Sequence, residues 1–260
     1  PEPVVAVSLF AAARSPDDAR SVLRSNGSLG RSIETAAAGI ARLEPGPTER
    51  DRRDYVRGHV ALKLLSLLND QPGDALAPIP GLNVEEQEFW QEICWAFDSY
   101  FTNGITDSAE RAAQVSDRLR AAVRHLQPQA RLVLRHVTFC QRVHGFGVLD
   151  RFDTHEFSPG QRMMIYAEVE NFTSQPTADG RFRTQLKASI ELSQADSEPV
   201  ERFRFPATRD ICEHYRRDYY LTCEFTIPRR IPIGSYVLTL TVIDQLGQKS
   251  TTETLRLEVE

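Results

Sequence analysis

Cys140, His144, His155 and Glu156 supply a thiol, two imidazoles and a carboxylate within one short stretch. The Cys140-x-x-x-His144 spacing suits two ligands of one metal ion, but structural zinc is normally held by two such tight pairs. No second pair accompanies this one. The group therefore reads as a cysteine ending a strand with histidines in the following loop, and no metal is expected.

A denser cluster runs from Asp210 to Tyr220 and contains Cys212, His214, Tyr215, Arg216, Arg217, Asp218, Tyr219 and Tyr220. Arginine and tyrosine are concentrated where proteins bind one another, because they combine rigid aromatic area with a forked charged donor. Tyr215, Arg216, Arg217, Tyr219 and Tyr220 are thus the candidate contact surface. The same residues would also serve to cover the edge of a sheet, with Asp218 pairing a neighbouring arginine. Both readings stay open at this stage.

The four cysteines, Cys94, Cys140, Cys212 and Cys223, form no Cys-x-x-Cys element. A Cys212–Cys223 bridge is conceivable only if their Cα atoms come within the narrow separation a disulfide demands. Asn26-Gly27-Ser28 and Asn171-Phe172-Thr173 match glycosylation acceptors, which matter only in a eukaryotic secretory pathway. Asn26-Gly27-Ser28-Leu29-Gly30 is better explained as one helix stopping and another starting. The sequence holds no Gly-x-Gly-x-x-Gly after a strand, no phosphate loop ending in Gly-Lys-Ser/Thr, no His-Glu-x-x-His and no Gly-x-Ser-x-Gly. No catalytic residue and no cofactor site is therefore assigned.

The elements that must carry these residues fall into two classes. From Ser15 to Gln127 the apolar spacing is helical. A short helix is predicted from Ser15, where Ser15-Pro16-Asp17-Asp18 supplies a cap, a first-turn proline and two acids. A second follows from about Ser28 to Leu43. A third opens at Thr48 with Asp51 as capping partner, and Val56, Val60, Leu64, Leu67 and Leu68 mark its stripe. A long proline-rich connection, Gln71 to Leu82, leads to a fourth helix capped by Asn83 with Glu86 in reciprocal position; it holds both tryptophans. The fifth runs from about Asp107 to Gln127. Their starts do not recur at a fixed period, so a bundle is preferred to a repeat array.

After Pro128 the period changes to two. Phe182, Thr184, Leu186, Ala188, Ile190 and Leu192 alternate with Arg183, Gln185, Lys187, Ser189 and Glu191. The same alternation runs through Tyr219–Ile227, Tyr236–Val242 and Leu255–Val259, with earlier strands predicted at Leu132–Gln141 and Arg162–Phe172. About seven strands separated by Pro, Gly and Asp breakers are expected, the pattern of a β-sandwich.

Pro232-Ile233-Gly234-Ser235-Tyr236-Val237-Leu238-Thr239-Leu240-Thr241-Val242-Ile243-Asp244, followed by a turn and a closing strand, resembles the last hairpin of bacterial Ig-like and fibronectin-type modules. Pro159-Gly160-Gln161 before Met163–Asn171 is similar to an early strand of such modules. The resemblance covers about residues 129–260 and lacks the Cys…Trp…Cys core of antibody domains, since this half has no tryptophan. It implies an Ig-like sandwich over 129–260; with the helical spacing upstream, which matches no recognised family, the expectation is an α+β chain of two segregated domains, the first an all-helical bundle over residues 1–128. The resemblance also implies export to the periplasm or cell envelope, as is usual for such modules.

The net charge is −5 and neither half is basic, so a nucleic-acid partner is not expected. No apolar run approaches the ~20 residues a membrane span needs. Val4–Ala13 could pass for the end of a signal peptide, but Pro1-Glu2-Pro3 stands where a basic region would be. That run is read as a buried strand or a first helical turn. The functional expectation is a non-enzymatic interaction or scaffolding protein whose partner is another protein. The alternative is a carbohydrate-binding or adhesin-like module using exposed aromatics of the sandwich. An enzyme with its site beside Pro128 is the third.

Overall fold

A computed structural model describes residues 26–69, 71–101, 105–194 and 197–260. The expected helix at Ser15 and the apolar run Val4–Ala13 lie outside the described residues. The protein contains both helices and sheets, and the chain divides into two compact units between Leu126 and Gln127.

The first unit contains α1 (Asn26–Ile40), α2 (Glu49–Leu68), α3 (Pro72–Leu76), α4 (Val84–Phe101) and α5 (Ser108–Leu126). Asn26 and Gly27 lie inside α1 instead of ending a helix. The α2 cap is the predicted box: Asp51 N donates to the Thr48 hydroxyl oxygen, and the Asp51 carboxylate accepts the Thr48 backbone N–H at 3.1 Å. At α4, Glu86 N donates to Asn83 Oδ1 at 2.8 Å, but the Glu86 carboxylate turns away to pair with Arg52.

The Gln71–Leu82 connection is longer than a bundle loop usually is, and it is held down by specific donors. Lys63 is buried, and its Nζ donates to Ala75 O at 2.7 Å and also to Ala77 O. Tyr55 Oη donates to Pro80 O at 3.1 Å, and Ile79 N donates to Gln87 Oε1 at 2.8 Å. Leu67, Ala75 and Cys94 form a small core beneath them. Loss of water pushes the Lys63 amine down from its ordinary value and the Cys94 thiol up.

The second unit holds eleven strands among the described residues. β1 (Val133–Gly145), β2 (Val148–Arg151), β4 (Arg162–Glu170) and β9 (Tyr220–Thr226) form a four-stranded sheet in the order β2-β1-β4-β9. The second sheet has the order β3-β11-β10-β6-β5, from β3 (Glu156–Phe157), β11 (Lys249–Val259), β10 (Gly234–Asp244), β6 (Phe182–Ser193) and β5 (Gln175–Pro176). β7 (Glu201–Arg204) and β8 (Thr208–Cys212) also pair with β6. Every pairing is antiparallel except β3 with β11.

The long strands are the predicted ones, except that β1 runs on past Gln141 to Gly145, so Cys140 does not end it and His144 lies within the strand instead of in a following loop. Alternation of apolar and polar residues sends one set of side chains inward, so Phe139, Ile165, Cys223, Leu186, Ile190, Leu238 and Val242 from both sheets join a single hydrophobic cluster. The β10–β11 hairpin turns on the buried Asp244. Its Oδ1 accepts Leu246 N and Gly247 N at 3.0 Å each, and its Oδ2 accepts Thr173 N at 2.7 Å. Only glycine fits at 247, because a Cβ there would stand 2.1 Å from Thr173 Oγ1 and 2.6 Å from Asp244 Oδ2.

Candidate contact surfaces

The Asp210–Tyr220 cluster is carried by the end of β8, the loop after it and the start of β9. Arg216 Nε donates to Asp210 Oδ2 at 2.6 Å, and Cys212 Sγ donates to the same oxygen at 3.1 Å. The Arg216 guanidinium also lies over the Tyr219 ring, 5.5 Å from its centroid. Partial burial pushes the Asp210 carboxyl up, yet the two donors outweigh it and hold it below the usual carboxylate range. The same carboxylate raises the Cys212 thiol, so this sulfur is not an activated nucleophile.

Tyr215 Oη donates to Gln127 Oε1 at 2.7 Å, and its ring meets Phe182 edge-on at 5.7 Å. Tyr219 is buried against Phe172, with ring centroids 5.6 Å apart. Arg217 is exposed. Tyr220, one residue on from Tyr219 along the strand, points to the opposite face of the sheet. The structure thus brings Arg216 and Tyr219 together, seats Tyr215 against Gln127 and Phe182, and turns Tyr220 to the opposite face of its sheet.

On that opposite face, Tyr220 belongs to a different group. Register places Arg135, Glu168 and Tyr220 in one row across β1, β4 and β9, and Thr138, Tyr166 and Thr222 in the next. A bulge in β1 gives His136 a φ of 49° and turns its ring to Glu168, with Nδ1 2.9 Å from Oε2. A second irregularity, near Val143, bends the β1–β2 hairpin, whose tip lies against this face. Gly147 N donates to Tyr166 Oη at 2.8 Å, and Tyr166 Oη donates to Glu168 Oε1 at 3.0 Å. Tyr166 is fully buried, whereas Phe146 and Tyr220 remain exposed around it. Sequence reading assigned no role to Phe146, Tyr166, Glu168 or His136. The Phe146-Gly147 pair is the one local sign of a tip, and the bulges that aim it have no periodic signature.

The four residues first considered as metal ligands are dispersed. Cys140 is buried, with burial and Asp150 raising its thiol. His144 Nε2 lies 2.9 Å from Asp150 Oδ2, His155 packs edge-on to Phe139, and Glu156 sits on β3 in the other sheet. Among the described residues, no group of three His, Cys, Asp or Glu side chains is arranged to hold a metal. All four cysteines are free. Cys212 pairs across β8 and β6, while Cys223 lies on β9 in the other sheet, where burial pushes its thiol up to about 12.

Beside Pro128, a shallow depression is lined by Pro128, Arg131, Leu132, Lys249 and Thr251. Its lysine is already engaged: Lys249 Nζ donates to Gln127 O and to Asn171 O, each at 2.8 Å. Asn171 Nδ2 in turn donates to Arg131 O at 3.0 Å.

No family model and no curated protein matches the chain. Solved structures resemble it weakly. An alkylpurine DNA glycosylase, AlkC, of Pseudomonas fluorescens aligns with 92% of this chain and 67% of its own, at 11% identity and a TM-score of 0.30. The sporulation control protein Spo0M of Bacillus subtilis aligns over 50% of this chain and 49% of its own, at 14% identity and a TM-score of 0.26. A Niemann-Pick type C2 protein of the Japanese carpenter ant aligns over 50% and 90%, at 8% identity and a TM-score of 0.29. At these scores the resemblances carry no argument about activity. Among the described residues, no helix is long and apolar enough to cross a membrane.

Proposed function

We propose that the protein is a non-enzymatic interaction or scaffolding protein made of two segregated domains, a helical bundle followed by an Ig-like sandwich. Support for the sandwich comes from the two mainly antiparallel sheets sharing one cluster and from the resemblance of the β10–β11 hairpin. In this reading the sandwich is the rigid platform, the helical domain is the docking element, and the chain acts in a bacterial cell envelope.

The observation that carries the reading is the aromatic end of α4. Phe97, Tyr100 and Phe101 are all exposed, with the Phe97 and Phe101 rings stacked at 6.2 Å and Tyr100 set edge-on to Phe101 at 5.6 Å. Rigid aromatic groups in water are what a partner's pocket recognises most strongly. Arg216 and Tyr215, in contrast, are held by partners within their own unit.

A photo-crosslinking residue placed at position 100, in cells that express the protein naturally, tests this. A stoichiometric protein adduct that disappears in the Phe97→Ala/Phe101→Ala variant is expected. Absence of any adduct, together with measurable turnover of a substrate, would count against a docking role.

A further inference from the structure

The outer face of the four-stranded sheet carries a second group of exposed aromatic residues, made of residues other than those at the end of α4. Phe146 and Tyr220 are 44% and 37% exposed, and their ring centroids stand 6.1 Å apart at 73°. Neither ring is loosely held. Tyr220 leans on the buried Tyr166 ring at 5.5 Å, and the hairpin tip bearing Phe146 is pinned by the Gly147–Tyr166 hydrogen bond. Two exposed aromatic planes fixed in advance lose little freedom on binding.

The polar groups beside them are equally fixed. The Glu168 carboxylate is mostly shielded from water and already accepts from Tyr166 and His136, leaving lone pairs for a further donor. Thr222 adds an exposed hydroxyl in the next row. Charge on this sheet is balanced, since its strands carry four arginines and four carboxylates. Two of those pairs are formed directly, Arg135 with Glu170 at 3.1 Å and Arg162 with Glu224. A balanced face has no field to gather phosphates, acidic polymers or basic peptides. Two rings and the exposed Val148 at the hairpin tip, set on a polar sheet, also fall short of the apolar centre of a standard protein interface, which takes about 800 Å² from each partner. A ligand that matches has an apolar face for the rings, hydroxyls for the carboxylate and threonine, and no charge.

We propose that this face binds a neutral oligosaccharide, with a sugar ring packed on Phe146 and Tyr220 and its hydroxyls directed to Glu168 and Thr222. The inference goes beyond the docking role of α4 and stands on different residues.

Native affinity electrophoresis of the full chain in gels containing barley β-glucan, arabinoxylan, galactomannan or dextran tests it, followed by calorimetric titration with the matching hexasaccharide. Retardation by at least one neutral polymer is expected, with affinity falling tenfold or more in Phe146→Ala and in Tyr220→Ala. Tyr220→Phe, which keeps the ring, and Phe97→Ala/Phe101→Ala should bind as the parent does. Both alanine sites are exposed, so unchanged circular dichroism would show that a loss is not unfolding. Failure to bind all four polymers, binding that survives both alanine variants, or retention by heparin alone would each overturn the proposal.

Discussion

At the scale of single residues, the contact cluster read from sequence divides by what each side chain touches. Asp210 holds both Arg216 and Cys212, and Arg216 in turn covers Tyr219. Asp210→Ala should lower stability by about 1 kcal/mol, below the usual range for a charged hydrogen bond because water still reaches the pair. Exposed Arg217→Ala should leave the unfolding free energy, from urea titration, within about 0.5 kcal/mol of the parent. Equal effects in the two variants would show that the Asp210 network is not formed.

The Cys223 thiol gives a second expectation. Its pKa is raised from 9.0 to about 12 by burial, so the native state keeps the proton that the unfolded chain loses first. Its contribution to stability is therefore intact below pH ~9 and declines as the pH rises from there toward ~12. Urea midpoints of the parent and Cys223→Ser should converge across that window, and a constant gap would contradict the buried thiol. Strand alternation made this inward set readable, with Tyr219, Leu221, Cys223, Phe225 and Ile227 on one side. By the same rule Tyr219 and Tyr220 cannot share a surface, which neighbouring positions in sequence conceal.

At the scale of elements, the turn after β10 is the most exacting. Gly247→Ala places a methyl group into Thr173 Oγ1 and the Asp244 carboxylate, breaking the contacts that close the hairpin. A loss of about 1–3 kcal/mol is expected from such overpacking, read as a lower thermal midpoint. An unchanged midpoint would mean that the turn adopts another form. The long strands, the Thr48–Asp51 box and the Asn83 cap were legible because each is a local rule of spacing or capping. β2, β3, β5, β7 and β8 were not, since two to five residues are too few to show a period. Nor was the placement of Phe146 over Tyr220, which depends on irregularities in β1 and on a strand more than seventy residues away. The role of Lys63 as donor to Ala75 and Ala77 was not legible either, because it depends on the fold of the connection that follows its helix.

At the scale of the whole molecule, the proposed functions need a sandwich that stands on its own core. Gln127 is tied to this unit twice, by Lys249 through its carbonyl and by Tyr215 through its side chain. A fragment of residues 127–260 therefore contains its own anchor as well as the cluster shared by its two sheets. Differential scanning calorimetry of that fragment is the most direct measurement. One cooperative transition, with calorimetric and van't Hoff enthalpies in agreement, is the result expected of an autonomous platform. A fragment that shows no transition, or that folds only when residues 1–126 are added, would contradict it.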